Sequence, residues 1–452
     1  MNKRLTAPGI TRWRHYHRGI WPLVWPILLS NLSVPLLGAV DTAILGHLPQ
    51  ARFLGAVAVG SSIITMVFWS LGFLRMGTTS LVSRAVGAEN QDEALALWLR
   101  SAVLALCLAT MLIALGQWLV PFAIELMAPA SDIAPLATSY SHIRLLSAPA
   151  TLLNYTLIGW FIGQQDTRRP LLILVFTNGV NIVLDMVFIW GLGLNSDGAA
   201  WASVSAEYAA LLLGLWLLAR KLYQLPSGRR SLTDQLTRLR HFADYLPLLT
   251  VNRHLFVRTA CLLGVFTFFT AQGARAGTHV VAANAILLQL LMLTSHALDG
   301  FAHAAEALCG KATGQRNWAE FRRVCGATTS MALATALGIS LIFALGEPLW
   351  LDAFTAIAPV LAEASRQFGW LIALPLLTIW AYQLDGIFLG AGLTRAMQYT
   401  MLGCMLGVFF PLWFITQGLG NTGLWLAFST FNGARSLAMG WVFWRYLQRK
   451  LG

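Results

Sequence analysis

YTLIGWFIGQQDTR, residues 155–168, returns as YQLDGIFLGAGLTR at residues 382–395, and this recurrence decides how the chain is built. Tyr155, Gly159, Phe161, Gly163, Thr167 and Arg168 find counterparts in Tyr382, Gly386, Phe388, Gly390, Thr394 and Arg395, at a constant offset of 227 residues. The same offset carries Gly87, Asn90 and Glu93 onto Gly314, Asn317 and Glu320, and the GLG at 191–193 onto 418–420. Three separate matches at one spacing mark an internal repeat, so the chain is two parallel halves. Gly159–Gly163 and Gly386–Gly390 are GxxxG pairs, which let neighbouring helices approach closely; they read as packing devices, with a hinge as the alternative.

The composition says what the halves are made of. Of 452 residues 57% are hydrophobic and 11% charged, and the mean hydropathy is +0.64. Soluble domains carry about 25% charged residues, so this is a polytopic membrane protein. On a ruler of roughly 20 apolar residues per span, twelve spans are expected. They fall near 20–46, 53–80, 97–121, 134–162, 170–192, 198–220, 248–274, 280–308, 324–346, 360–390, 396–417 and 422–446. The fold class is therefore all-α, with twelve transmembrane helices in two pseudo-symmetric six-helix lobes. The boundaries read as a basic tail over 1–19, an N-lobe over 20–221, a connector over 222–246, a C-lobe over 247–446 and a basic tail over 447–452. In the connector, Leu232, Leu236, Leu239 and Leu246 at helical spacing suggest a short interfacial helix. Parallel repeats about an axis along the membrane normal are an arrangement of secondary transporters.

A net charge of +12 would suggest a nucleic-acid partner in a soluble protein. Here lysine and arginine concentrate on one face: the N-terminal tail, Arg168–Arg169, Arg220 to Arg240, Lys311 to Arg323, Arg395, and Arg445 to Lys450. The opposite loops hold mainly Asp132, Asp197, Glu347 and Asp352, with Arg52 and Arg275 as exceptions. By the positive-inside rule both termini are cytoplasmic. No nucleic-acid partner is expected. The first apolar run is long and lacks a small-residue cleavage site, so it reads as a retained helix. The five cysteines form no CxxC, and no HExxH or GxSxG is present. Disulfides, a metal centre and enzymatic catalysis are not expected.

Against this apolar background a few carboxylates stand out. The first span, NLSVPLLGAVDTAILGH over 31–47, holds Asp41, with prolines at Pro26 and Pro35. An aspartate at a helix centre costs about 2.5–3.5 kcal/mol and is a functional-site hypothesis by default. Asn178, Asn181 and Asp185 stack on one face of the fifth span, and the sixth adds Ser203 and Glu207. The second half keeps the frame but not these residues; its acids are Asp299, Glu306 and Asp385. Each has a plainer reading. Asp41 would pair with Arg75 or Arg144, Asn181 and Asp185 would clamp two helices, Glu207 would pair with Arg75, and Glu306 would face a cytoplasmic loop. Pro26 leaves the carbonyl of Pro22 without its helical donor, which makes bending cheap there.

These residues resemble the multidrug and toxic compound extrusion (MATE) transporters, and within them the DinF branch. The resemblance rests on NLSVPLLGAVDTAILGHL, LSAPATLLNYTLIGWFIG, NGVNIVLDMVFIWGLGLNSDGAAWASVSAEY, ALDGF and LDGIFLG, and it spans essentially the whole chain. It implies two lobes around a central cleft and a monomer in the cytoplasmic (inner) membrane of a bacterium, among lipids. It implies a cation-coupled, proton-driven antiporter that exports lipophilic, often cationic compounds by alternating access. Asp41 would match the proton-coupling aspartate, and Asn181, Asp185 and Ser203 its polar surround, with H+ or Na+ as coupling ion and no other cofactor. Pro26 would match the bending proline. Asn31, Tyr140, Asn154, Asn178, Glu207, Asp299 and Asp385 are the candidate cavity residues. Export coupled to Na+ through the same oxygens, and flipping of a lipid-linked precursor, are the alternatives.

Overall fold

The computed structural model describes residues 20–31, 33, 44–45, 50–224, 239 and 241–451. The connector helix expected around Leu232 and Leu236 lies outside the described residues. Every long element is a helix, and no strand occurs among the described residues. They run α1 (Ile20–Asn31), α2 (Ala51–Ser70), α3 (Phe73–Gly87), α4 (Gln91–Met127), α5 (Ala134–Leu145), α6 (Ala148–Gly163), α7 (Arg168–Asp185) and α8 (Asn195–Tyr223). Then come α9 (Leu246–Ala276), α10 (Thr278–Gly314), α11 (Trp318–Phe354), α12 (Ala358–Ala391), α13 (Thr394–Cys404), α14 (Phe410–Thr416) and α15 (Asn421–Leu451).

Among the described residues nine helices are long and apolar enough to cross a membrane, or ten with α5 and α6 taken as one span bent by 49°. Pro149 at the start of α6 explains that bend, since it has no N–H to return to α5. The first expected span is described only in part, and α15, where the twelfth is expected, carries Asn432, Arg435 and Ser436 buried in its middle. The turns between spans follow the repeat. Asn90 and Asn317 each accept the N–H of the glutamate three residues on, at 3.0 Å, so the repeated Asn–Glu motif is a helix cap. Left-handed backbone also recurs at the offset, at Glu89 and Arg316, Gln165 and Gly392, and Gly193 and Gly420.

The contacts divide the chain into two compact units, residues 32–252 and residues 1–31 with 253–452. The division therefore falls inside the first and seventh expected spans. In the second unit, Ile20 and Val24 of α1 are buried with Leu298, Phe301 and Ala304. In the first unit, the Asn252 side chain lies against Gly77. The GxxxG pairs are packing surfaces in both units. A Cβ on Gly159 would stand 2.6 Å from the Arg75 carbonyl, and one on Gly386 would meet the carbonyl of Ala302, the residue 227 further on. Within the first unit the core gathers around Trp98, Leu157, Trp160 and Phe161. Within the second, Trp425 meets Phe269 and Phe428 edge-on, with Phe269 and Trp425 centred 4.9 Å apart.

Candidate functional site

The polar face of α7 is built as its spacing predicts. Asn181 and Asp185 are buried, with 2% and 1% of their surface exposed. Asn181 Nδ2 donates to Ser203 Oγ of α8 at 3.3 Å, while its Oδ1 is buried with no hydrogen-bond partner among the described residues. One turn earlier, Asn178 Nδ2 donates to Ser33 Oγ at 3.4 Å. Ser33 lies eight residues before Asp41 on the first span; Asp41 itself is outside the described residues. Directly after Asp185 the helix widens into a π turn, Met186–Gly191. Such turns inside α-helices are frequent at functional sites.

Glu207 lies four residues beyond Ser203 on α8. Asn154 Nδ2 donates both to the Glu207 carbonyl at 3.1 Å and to its Oε2 at 3.0 Å. The cation within electrostatic reach of Glu207 is Arg144, where the sequence suggested Arg75. Arg144 also stacks over Phe68. Tyr155 stands within electrostatic reach of Glu207, Arg75 and Arg144. Tyr140 is buried in an apolar cluster with Val57, Ile189 and Ala200, and Gly60 lets its ring come close.

The second unit holds a buried ion cluster that sequence reasoning missed. Arg435 of α15 donates to Asp385 Oδ2 at 2.7 Å, and Arg258 of α9 donates to the same oxygen. Asp299 and Tyr382 stand within electrostatic reach of Arg258, and the Tyr382 hydroxyl bonds Ser295 at 2.6 Å. The signal was available: Arg258 and Arg435 lie in the middle of apolar segments, where an arginine needs a partner. Asn31 also belongs to this unit, with Nδ2 donating to the His296 carbonyl at 3.0 Å. Pro26 is buried in continuous helix, and the Ser30 hydroxyl donates to its carbonyl at 2.8 Å. Glu306, expected to face a cytoplasmic loop, is instead fully buried, because α12 packs on its turn through Gly390.

A family model described as MatE matches two stretches of the chain, residues 26–187 and 255–415. The chain belongs to the MatE family. The two MatE stretches begin 229 residues apart, close to the offset of the internal repeat. DNA damage-inducible protein F of Escherichia coli K12 is 37% identical over 95% of this chain and 92% of that protein. Among solved structures, a MOP superfamily transporter from Pyrococcus furiosus shares 20% identity, with a TM-score of 0.84 over 99% of this chain and 100% of that one. A MATE protein crystallised with MaD3S shares 22% identity, with a TM-score of 0.81 over 96% of this chain and 97% of that one. The fold is the MatE fold, and its members are transporters and not enzymes. The first matched stretch carries Pro26, Asp41, Asn178, Asn181 and Asp185; Ser203 and Glu207 lie beyond its end.

Proposed function

We propose that this MatE protein is a proton-coupled antiporter of a bacterial cytoplasmic membrane, exporting lipophilic, often cationic compounds by alternating access. Asp41 is the proton-carrying group, and Asn181, Asp185 and Ser203 are its polar surround. The observation that carries the reading is the bond from Asn178 to Ser33, which ties the polar face of α7 to the span that bears Asp41. Burial in low dielectric and a set of neutral donors let a carboxyl exchange its proton when access changes sides. Ionised, Asp41 draws hydrogen bonds from the surround; protonated, it gives some of them up, and the first span bends at Pro26 and expels the substrate. One elementary charge moving through 100 mV releases about 2.3 kcal/mol, which supports roughly a fifty-fold gradient of a neutral compound.

The test is dye extrusion and substrate-dependent proton movement in proteoliposomes. Asp41→Asn protein, inserted at normal levels, is expected to lose both. Full-rate extrusion of an ethidium-type dye by that variant defeats the reading. A second reading has its own support: the Asn181 Oδ1, unpartnered among the described residues, the Ser203 hydroxyl and the Asp185 carboxylate are oxygens of the kind a hard cation takes. Transport driven by a sodium gradient at fixed pH would replace the proton with Na+ at the same place.

A further inference from the structure

At the end of the second unit opposite the basic face, Gln272 and Arg275 of α9, Trp413 and Gln417 near the end of α14, and Asn421 and Leu424 of α15 line an open pocket of about 220 Å³. Arg275 is one of the two arginines in the loops expected on this side. The other, Arg52, rests its guanidinium over Phe53 at 5.1 Å. Arg275 is exposed and has neither a hydrogen bond nor an ion pair among the described residues. The side-chain amides of Gln272 and Gln417 are likewise unspent among the described residues. The pocket thus gathers a guanidinium and two amides beside an indole.

The floor of the pocket is rigid. Asn421 exchanges hydrogen bonds with Asn284 at 2.8 and 3.1 Å and donates to Glu363 at 2.6 Å. The Trp425 indole donates to Asn284 at 2.9 Å. Asn421 is therefore fixed by α10 and α12, which braces one wall of the pocket. The repeat shows that this polarity belongs to one copy: beside the securely matched GLG, Gln417 and Asn421 correspond to Trp190 and Leu194 in the first unit. A planar guanidinium with neighbouring amides suits the oxygens of a phosphate. An indole at the outer end of spanning helices suits the interfacial zone where headgroups lie.

We propose that this pocket binds a phosphate ester, the headgroup of an anionic phospholipid of the outer leaflet, with Arg275 as its principal contact. The test titrates dioleoyl-phosphatidylglycerol onto the full chain in detergent and counts bound lipid by native mass spectrometry. Dioleoylglycerol, with the same tails and no phosphate, and inorganic phosphate are separate arms. Phosphatidylglycerol is expected to bind well above dioleoylglycerol, and Arg275→Gln to weaken it about tenfold, or about 1.4 kcal/mol, while Arg52→Gln leaves it unchanged. Removing Arg275 follows the positive-inside rule, so insertion is not at risk in the variant. Displacement of the lipid by inorganic phosphate alone supports the site and makes a free oxyanion its occupant. Equal binding by wild type and Arg275→Gln, or equal binding of dioleoylglycerol, overturns the proposal.

Discussion

Arg435 donates to Asp385 at 2.7 Å inside the second unit, and Arg258 donates to the same carboxylate oxygen. Two guanidiniums thus share one acid, with all three side chains at least nine-tenths buried. Removing the acid strands two cations, and breaking a buried pair costs about 3–5 kcal/mol. Asp385→Asn is expected to lower thermal stability in detergent and abundance in the membrane. Adding Arg258→Met to that variant restores part of the loss. Unchanged unfolding temperature in Asp385→Asn would refute the clamp.

Gly386 lies against the Ala302 backbone, whereas a Cβ on Gly407 would meet nothing within 4 Å. Overpacking costs about 1–3 kcal/mol. Gly386→Ala is expected to destabilise by that amount and Gly407→Ala to be neutral or better. Thermal unfolding followed by size-exclusion chromatography compares the two directly.

The caps at Asn90 and Asn317 have the same geometry, each accepting at 3.0 Å. Asn90→Ala and Asn317→Ala should each cost about 1 kcal/mol, and Asn→Asp at either position should keep most of the stability. Unequal losses would mean that one cap does more than close its helix.

Ser203 accepts from Asn181 through a hydroxyl that threonine also offers. Ser203→Ala is expected to slow substrate-dependent proton movement roughly tenfold, the worth of about one hydrogen bond, and Ser203→Thr to retain it. Equal rates in wild type and Ser203→Ala would remove Ser203 from the coupling surround.

The spans, the repeat and the stacking of Asn178, Asn181 and Asp185 were legible in the sequence, because hydropathy and helical periodicity are properties of neighbouring residues. Even the caps could be read, as Asn90 and Glu93 are three residues apart and act on the same turn. The bond from Asn178 to Ser33 crosses 145 residues, and that from Arg258 to Asp385 crosses 127. No local pattern encodes such distances. Glu306 was misread for the same reason: position in the chain put it near a loop, while α12, packed through Gly390, covers it.

By itself the sequence determined a membrane-spanning, twofold-repeated helical chain of one family, since the free energy of inserting apolar helices depends on composition along each segment. Only the tertiary structure decided which polar groups meet. It paired Glu207 with Asn154, gave Asp385 two arginines, set Asn31 and Ser33 in different units and left Arg275 without a hydrogen bond or ion pair among the described residues. The contacts of Glu207 and Asp385 turn on side chains from separate helices coming within about 3 Å, a distance that packing alone sets.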